Sequence, residues 1–145
     1  MVTLNPYLNY PGNAEEAFTH YKKVFGGEYN IVRFKDAPSE ENVTEAEKEK
    51  AMHIALPIGK GNVLMATDLV GKRMEKFNPG NDHYLSLFVD SDAEADKIFA
   101  GLSEGGSVQL PMSKQFWGAY FGMLTDKWGV RWMINHDYNQ DQHGK

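Results

Sequence analysis

Residues 13–27 read Asn-Ala-Glu-Glu-Ala-Phe-Thr-His-Tyr-Lys-Lys-Val-Phe-Gly-Gly, and residues 92–106 read Asp-Ala-Glu-Ala-Asp-Lys-Ile-Phe-Ala-Gly-Leu-Ser-Glu-Gly-Gly. A shift of 79 positions lays one on the other. The first stretch opens on a capping residue, Asn13, with Glu16 three residues on in a capping-box-like arrangement. Its apolar stripe is Ala14, Ala17, Phe18, Tyr21 and Val24 or Phe25, and Gly26-Gly27 supplies the stop. The second opens on Asp90, Ser91 or Asp92, carries Ala95, Ile98, Phe99 and Leu102, and stops at Gly105-Gly106. The same shift lays Leu8 on Leu87 and Tyr7 on Ser86. Caps and glycine stops are common singly; their joint register points to a duplicated unit.

Outward from each helix, the surroundings also repeat. Before the first, Leu4, Pro6 and Leu8 alternate with Asn5, Tyr7 and Asn9, the period of a half-buried strand, and Pro11-Gly12 turns the chain. After it, 28–34 and 51–58 read as strands, Gly59-Lys60-Gly61-Asn62 as a hairpin turn, and 63–68 as its return. A charged insertion at 36–50 interrupts this half, with Thr44 and Glu47 able to cap a short helix. Residues 69–82 read as a linker that ends in Asn78-Pro79-Gly80-Asn81. The second half offers strands at 83–89, 107–110, 119–124 and 130–135, with a turn at 125–129. The tail, 138–145, is polar and reads as frayed. The fold class is therefore α+β. One domain spans 1–145, built from two tandem βαβββ modules, 1–70 and 80–137.

Composition narrows the function classes. Hydrophobic residues make up 41% and charged residues 24% of 145, a globular balance. No apolar run is long enough to span a membrane, and no basic start with an apolar core marks a secretory signal. The net charge of −5 and the lack of any Lys/Arg cluster argue against nucleic acid as a partner. With no cysteine there is no disulfide, thiolate nucleophile or Cys-based metal site, which fits a cytoplasmic location. Walker, Rossmann and nucleophile-elbow motifs are all missing.

Four stretches resemble the vicinal-oxygen-chelate superfamily, also called the glyoxalase/bleomycin-resistance/dioxygenase fold, and most of all its PhnB-like branch. They are Pro6-Tyr7-Leu8 through Gly12-Asn13-Ala14 to Tyr21–Gly27; Met52-His53-Ile54; Leu64 to Asp68; and Phe116-Trp117-Gly118 through Phe121-Gly122 and Thr125–Val130 to Trp132–Asn135. The resemblance implies a U-shaped mixed sheet with a concave pocket, helices behind it, and a homodimer. It does not establish phosphonate chemistry, and the methyltransferase label sometimes attached to this branch has no nucleotide-binding pattern here to support it.

Strand parity selects the side chains of the cup. The more uniformly apolar parity must face the helices: Leu4 and Leu8; Met52, Ile54 and Leu56; Leu64 and Ala66; Leu85 and Leu87; Trp132 and Ile134. The opposite parity leaves Tyr7, Asn9, His53, Met65, Ser86, Phe88 and Met133. For 119–124 parity is ambiguous, and the family's register places Ala119, Phe121 and Met123 in the cup. Trp117 stands on the loop before that strand, placed to stack on a planar ligand. These ten candidates, Tyr7, Asn9, His53, Met65, Ser86, Phe88, Trp117, Phe121, Met123 and Met133, form a mostly apolar, aromatic set.

Metal-dependent relatives carry His, Gln or Glu at the positions that correspond here to Tyr7, Met65, Ser86 and Met133. A phenol, a hydroxyl and two thioethers make a poor set for a divalent ion, so no metal and no other cofactor is expected. A site from His53, Asp68 and His83 fails by parity, because Asp68 points away from His53. Histidine's ordinary titration near 6.5 makes His53 the candidate acid or base, with Tyr7 assisting. Three functions follow: a metal-free protein that binds a small, partly apolar molecule; an enzyme using His53; or a structural dimer with a filled cup.

Overall fold

The computed structural model describes residues 1–37 and 43–139. Residues 38–42 of the charged insertion and 140–145 of the tail, His143 among them, lie outside the described residues. The chain divides into two compact units, Met1–Asn78 and Pro79–Lys145, with the boundary inside the linker expected at 69–82.

Unit 1 contains β1 (Tyr7–Tyr10), α1 (Ala14–Phe25), β2 (Asn30–Arg33), β3 (Ala51–Ile58), β4 (Asn62–Asp68) and a short α2 (Lys72–Glu75). Its sheet has the order β1-β4-β3-β2, with β1 parallel to β4 and the other pairs antiparallel. Glu15 and Glu16 in the first turn of α1 and Lys22 and Lys23 in its last complement the helix dipole. The α1 stripe Ala14, Ala17, Phe18 and Tyr21 is buried, as are Tyr10, Ile54, Leu56, Leu64 and Ala66 of the sheet. Tyr10 meets Phe18 edge-on at 6.2 Å, and its hydroxyl lies 2.9 Å from that of Tyr21. Each large side chain so buried contributes about 2 kcal/mol.

Unit 2 repeats the plan with β5 (Leu85–Phe88), α3 (Asp92–Ser103), β6 (Ser107–Gln115), β7 (Ala119–Thr125) and β8 (Arg131–Asp137), in the order β5-β8-β7-β6. Here β5 is parallel to β8. Ala95 and Leu102 of α3 are buried, with Leu124, Trp132 and Ile134 of the sheet. Asp126, itself buried, closes the β7–β8 turn. Its Oδ1 accepts the N–H groups of Trp128 and Val130, and its Oδ2 accepts the Trp132 indole N–H at 2.9 Å.

Several local expectations change. Asn13 makes no side-chain cap, whereas Ser91 does, accepting the Glu94 N–H at 3.0 Å. The N-terminus of α1 is instead met by Asp68 from β4. Leu4 precedes β1 and is exposed; β1 starts only after Pro6, which has no N–H to donate to β4. Strand β6 runs on to Gln115 through two irregularities in register with β7. Thr44 and Glu47 do exchange reciprocal hydrogen bonds, but the helix they start is a single 3-10 turn, Glu47–Glu49. His136 lies in β8, which runs two residues beyond the strand expected at 130–135, and Tyr138 and Asn139 are hydrogen-bonded rather than frayed.

Candidate functional site

In unit 1, register fixes which side chains share a face. Tyr7 pairs with Met65, and Met65 with Ala55; Asn9 pairs with Thr67; Val32 pairs with His53. With successive side chains alternating, Tyr7, Asn9, His53, Met65 and Thr67 stand on the face away from α1. Tyr7 and Asn9 are exposed, and His53 and Met65 half-buried. The Tyr7 and His53 rings approach to 5.9 Å at 35°. Thr67 is nearly buried and spends its hydroxyl on the Met52 carbonyl at 2.8 Å. Across β1, β3 and β4 this face holds no Asp, Glu, Lys or Arg.

The same logic applies to unit 2. Ser86 pairs with Met133, Met123 with Met133, and Phe121 and Phe88 both with Asn135. Ser86, Phe88, Phe121, Met123 and Met133 therefore share the face away from α3, which settles the ambiguous parity of β7. Charges occur only toward its ends, at Arg131 and Asp137. Phe88 is 72% exposed, an unusual exposure for a strand phenylalanine. Trp117 precedes β7 and stands 5.8 Å from Phe121, edge to face. The ten candidates thus fall into two sets, four on the free face of unit 1 and six on or beside the free face of unit 2.

The positions where metal-dependent relatives carry ligands are adjacent in register within each unit: Tyr7 beside Met65, and Ser86 beside Met133. Their donors are a phenol, a hydroxyl and two thioethers, which do not fit a hard or borderline divalent ion. Among the described residues no group of three or more His, Cys, Asp or Glu is placed to hold a metal. Asp68 faces α1, and both its oxygens are occupied by backbone N–H groups, of Ala14 at 2.9 Å and Ala51 at 2.8 Å. His83 is exposed beside Asp82, at 2.8 Å.

A feature missed by parity is a polar cleft of about 630 Å³ at the N-terminal end of α1, lined by Asn13, Glu15, Glu16, Arg33, Lys50 and Asp68 among others. Its charges are largely paired. Arg33 grips Glu15 through two N–H···O bonds of 2.8 and 2.9 Å, which with Tyr29 holds the Glu15 carboxyl below its ordinary range despite partial burial. Lys50 donates to the Gly12 carbonyl at 2.8 Å. The insertion supplies Ala46, Glu49 and Lys50, so no periodic pattern in the sequence announces this cleft.

Comparison with known proteins agrees with this architecture. The model of the Glyoxalase/Bleomycin resistance protein/Dioxygenase superfamily matches residues 3–134. Protein YjdN of Escherichia coli K12 is 29% identical over 138 residues, covering 91% of this chain and 93% of its own. The crystal structure of protein PA1353 from Pseudomonas aeruginosa superposes with a TM-score of 0.80 at 38% identity, over 94% of this chain and 98% of that one. A Bacillus cereus PhnB protein, described as a putative 3-demethylubiquinone-9 3-methyltransferase, has the same fold. Its TM-score is 0.69 at 22% identity, with 93% and 99% of the chains covered. With two βαβββ units, their register and a family match across nearly its whole length, the chain belongs to the glyoxalase/bleomycin resistance protein/dioxygenase superfamily.

Proposed function

We propose that this protein binds a small, partly apolar molecule through the free sheet faces of its units, without the divalent metal used by many of its relatives. The observation that carries this reading is the chemistry at Tyr7, Met65, Ser86 and Met133, where ligating groups are replaced by a phenol, a hydroxyl and thioethers. The surrounding side chains favour such a ligand. Phe88, Phe121 and Trp117 offer aromatic surfaces, and the methionines adapt to varied shapes. Tyr7, Asn9, Ser86 and His53 supply a few oriented polar groups. As part of the same proposal the protein acts as a homodimer in the cytoplasm.

The test is thermal unfolding against a panel of aromatic and aliphatic compounds, with zinc, nickel and manganese salts alone in parallel arms. A compound at a hundred times its Kd stabilises by about 2.7 kcal/mol. Protection by an organic compound, unchanged by chelator, is the expected result. A panel in which only metal salts protect, or nothing does, removes the proposal. Sedimentation of the purified protein tests the dimer.

The 5.9 Å approach of Tyr7 to His53 favours a second reading, in which His53 is a general acid or base with Tyr7 assisting. Under it, His53→Ala lowers turnover by about 100-fold or more, a typical general acid–base contribution. Turnover that survives the substitution eliminates this mechanism.

A further inference from the structure

We infer that Asp92, at the start of α3, is a positioning residue for the hairpin that carries Trp117. The connection runs through the two residues after β8. The backbone N–H of Tyr138 donates to the carbonyl of Gly118 at 3.0 Å, and the Gly118 N–H donates to Gln115 at 3.1 Å to close the β6–β7 turn. Gly118 has φ +91, and a Cβ there would run into the side-chain amide of Asn139. The chain leaving β8 therefore lies directly on the last residue of the hairpin turn.

Tyr138 is in turn held from the helix. Its hydroxyl lies 3.0 Å from each Asp92 carboxylate oxygen, and His136 Nδ1 lies 2.8 Å from Oδ1. The His136 and Tyr138 rings meet edge to face at 5.0 Å. Tyr138 is 43% exposed, so burial does little to fix its ring; the carboxylate contacts do. A carboxylate in the first turn of a helix is itself favourably placed. The strut thus runs from Asp92 to Tyr138, from Tyr138 to Gly118, and from Gly118 to the adjacent Trp117. It begins on the helix side of the sheet and ends beside Phe121 on the free face. Trp117 is half exposed and Phe116 almost fully so, so packing restrains these two side chains little beyond their contacts with each other and with Phe121.

That Trp117 contacts a ligand rests on the proposed function; that Asp92 sets its placement does not. The experiment therefore uses no ligand. The chain has three tryptophans, which 5-fluorotryptophan labels uniformly, and Trp117→Phe assigns one fluorine resonance. Trp132 and Trp128 belong to the Asp126 turn and serve as internal references. Asp92→Asn and Tyr138→Phe are each expected to shift or split the Trp117 line by more than its width, with the other two unmoved. Asp96→Asn, which removes the charge opposite Tyr120 and touches no hydrogen bond of the strut, is expected to leave all three in place. A Trp117 line unmoved in Asp92→Asn or in Tyr138→Phe, or all three lines moving together, overturns the inference. So does an equal displacement of Trp117 by Asp96→Asn. Failure of the compound panel alongside a displaced Trp117 line counts against the binding reading and leaves the strut standing.

Discussion

The Asp68 carboxylate reaches across 54 positions of the chain to accept the backbone N–H of Ala14, the first residue of α1. In unit 2 a strand-to-helix link recurs, made by different groups. Met65 and Met133 occupy equivalent places beside Tyr7 and Ser86, so three residues further on Asp68 corresponds to His136. His136 also reaches the first residue of its helix, but there it meets a carboxylate, Asp92. Each copy keeps a strand-to-helix tie; the acid has moved from strand to helix.

Capping of α1 by Asp68 rather than Asn13 predicts an inverted pair of costs. Asp68→Ala strands two N–H groups inside unit 1 and is expected to cost about 3 kcal/mol or more. Asn13→Ala, at the formal cap position, removes a buried Oδ1 that has no hydrogen-bond partner among the described residues. It is expected to cost less than about 0.5 kcal/mol, against about 1 for a working cap. Urea unfolding midpoints decide between them. Comparable losses in the two variants would contradict the assignment.

Asp92 makes the acid limb of stability informative. Its carboxyl is held below its ordinary value of 3.8 chiefly by the hydrogen bond to His136, with Tyr138 adding to the effect. A carboxyl depressed in the folded state contributes stability that is present above its unfolded pKa and lost as pH falls through the folded one. The stability gap between wild type and Asp92→Asn should therefore be full near neutrality and close below pH 3.8. A gap that persists undiminished at the acid end would show that the carboxylate charge is not what stabilises.

Tyr120 should be a late-ionising phenol. Its hydroxyl donates to Asp96 Oδ1 at 2.6 Å, and that bond, followed by desolvation and the carboxylate's charge, pushes it up to about 12. The sign is opposite to that of Asp92: the contribution is present below the ordinary phenol value of 10.0 and is lost as pH rises through about 12. Absorbance at the phenolate band, followed with alkali, should show a late step that vanishes in Tyr120→Phe and moves down in Asp96→Asn. No change of the late step in either variant would assign it to another tyrosine.

The paired glycine stops should behave differently. Gly27 has φ +84, and a Cβ there would make only ordinary contacts with Leu56 and Pro57, so Gly27→Ala carries only a left-handed penalty of about 1–2 kcal/mol. Gly106 sits against the Thr125 carbonyl and the Asp126 backbone, where a Cβ has no room. Gly106→Ala should cost about 3 kcal/mol and disturb the β7–β8 turn, seen as a change in the Trp132 environment. Equal costs at the two sites would mean that the backbone yields at Gly106.

The outline was legible because it rests on period. Alternation separated Ile54 and Leu56 from His53, and Leu64 and Ala66 from Met65, and the glycine pairs marked where both helices stop. What the sequence concealed depends on contacts distant in the chain. Asn13 looks like a cap because its neighbours fit the pattern; nothing local says that Asp68 will arrive first. Tyr138 reads as tail because polar residues follow it, yet Asp92 and Gly118 hold it. The cleft beside α1 is bounded by the 46–50 segment, whose charges carry no period. The roles proposed for His53 and Tyr7 depend on a ligand, which no pattern encodes.

The parallel pairing of first strand with last has a consequence for synthesis on the ribosome. Tyr7 leaves the exit tunnel long before Met65, so β1 must wait, unpaired and half apolar, while most of its unit is still being made. All four strands of the first sheet are present once residue 68 has emerged, before any of β5 has left the tunnel. The second sheet must wait for β8 in the same way. A pause in elongation after residue 68 has left the tunnel and before β5 has done so would give the first copy time to close before the equivalent strand of the second appears, limiting exchange between β1 and β5.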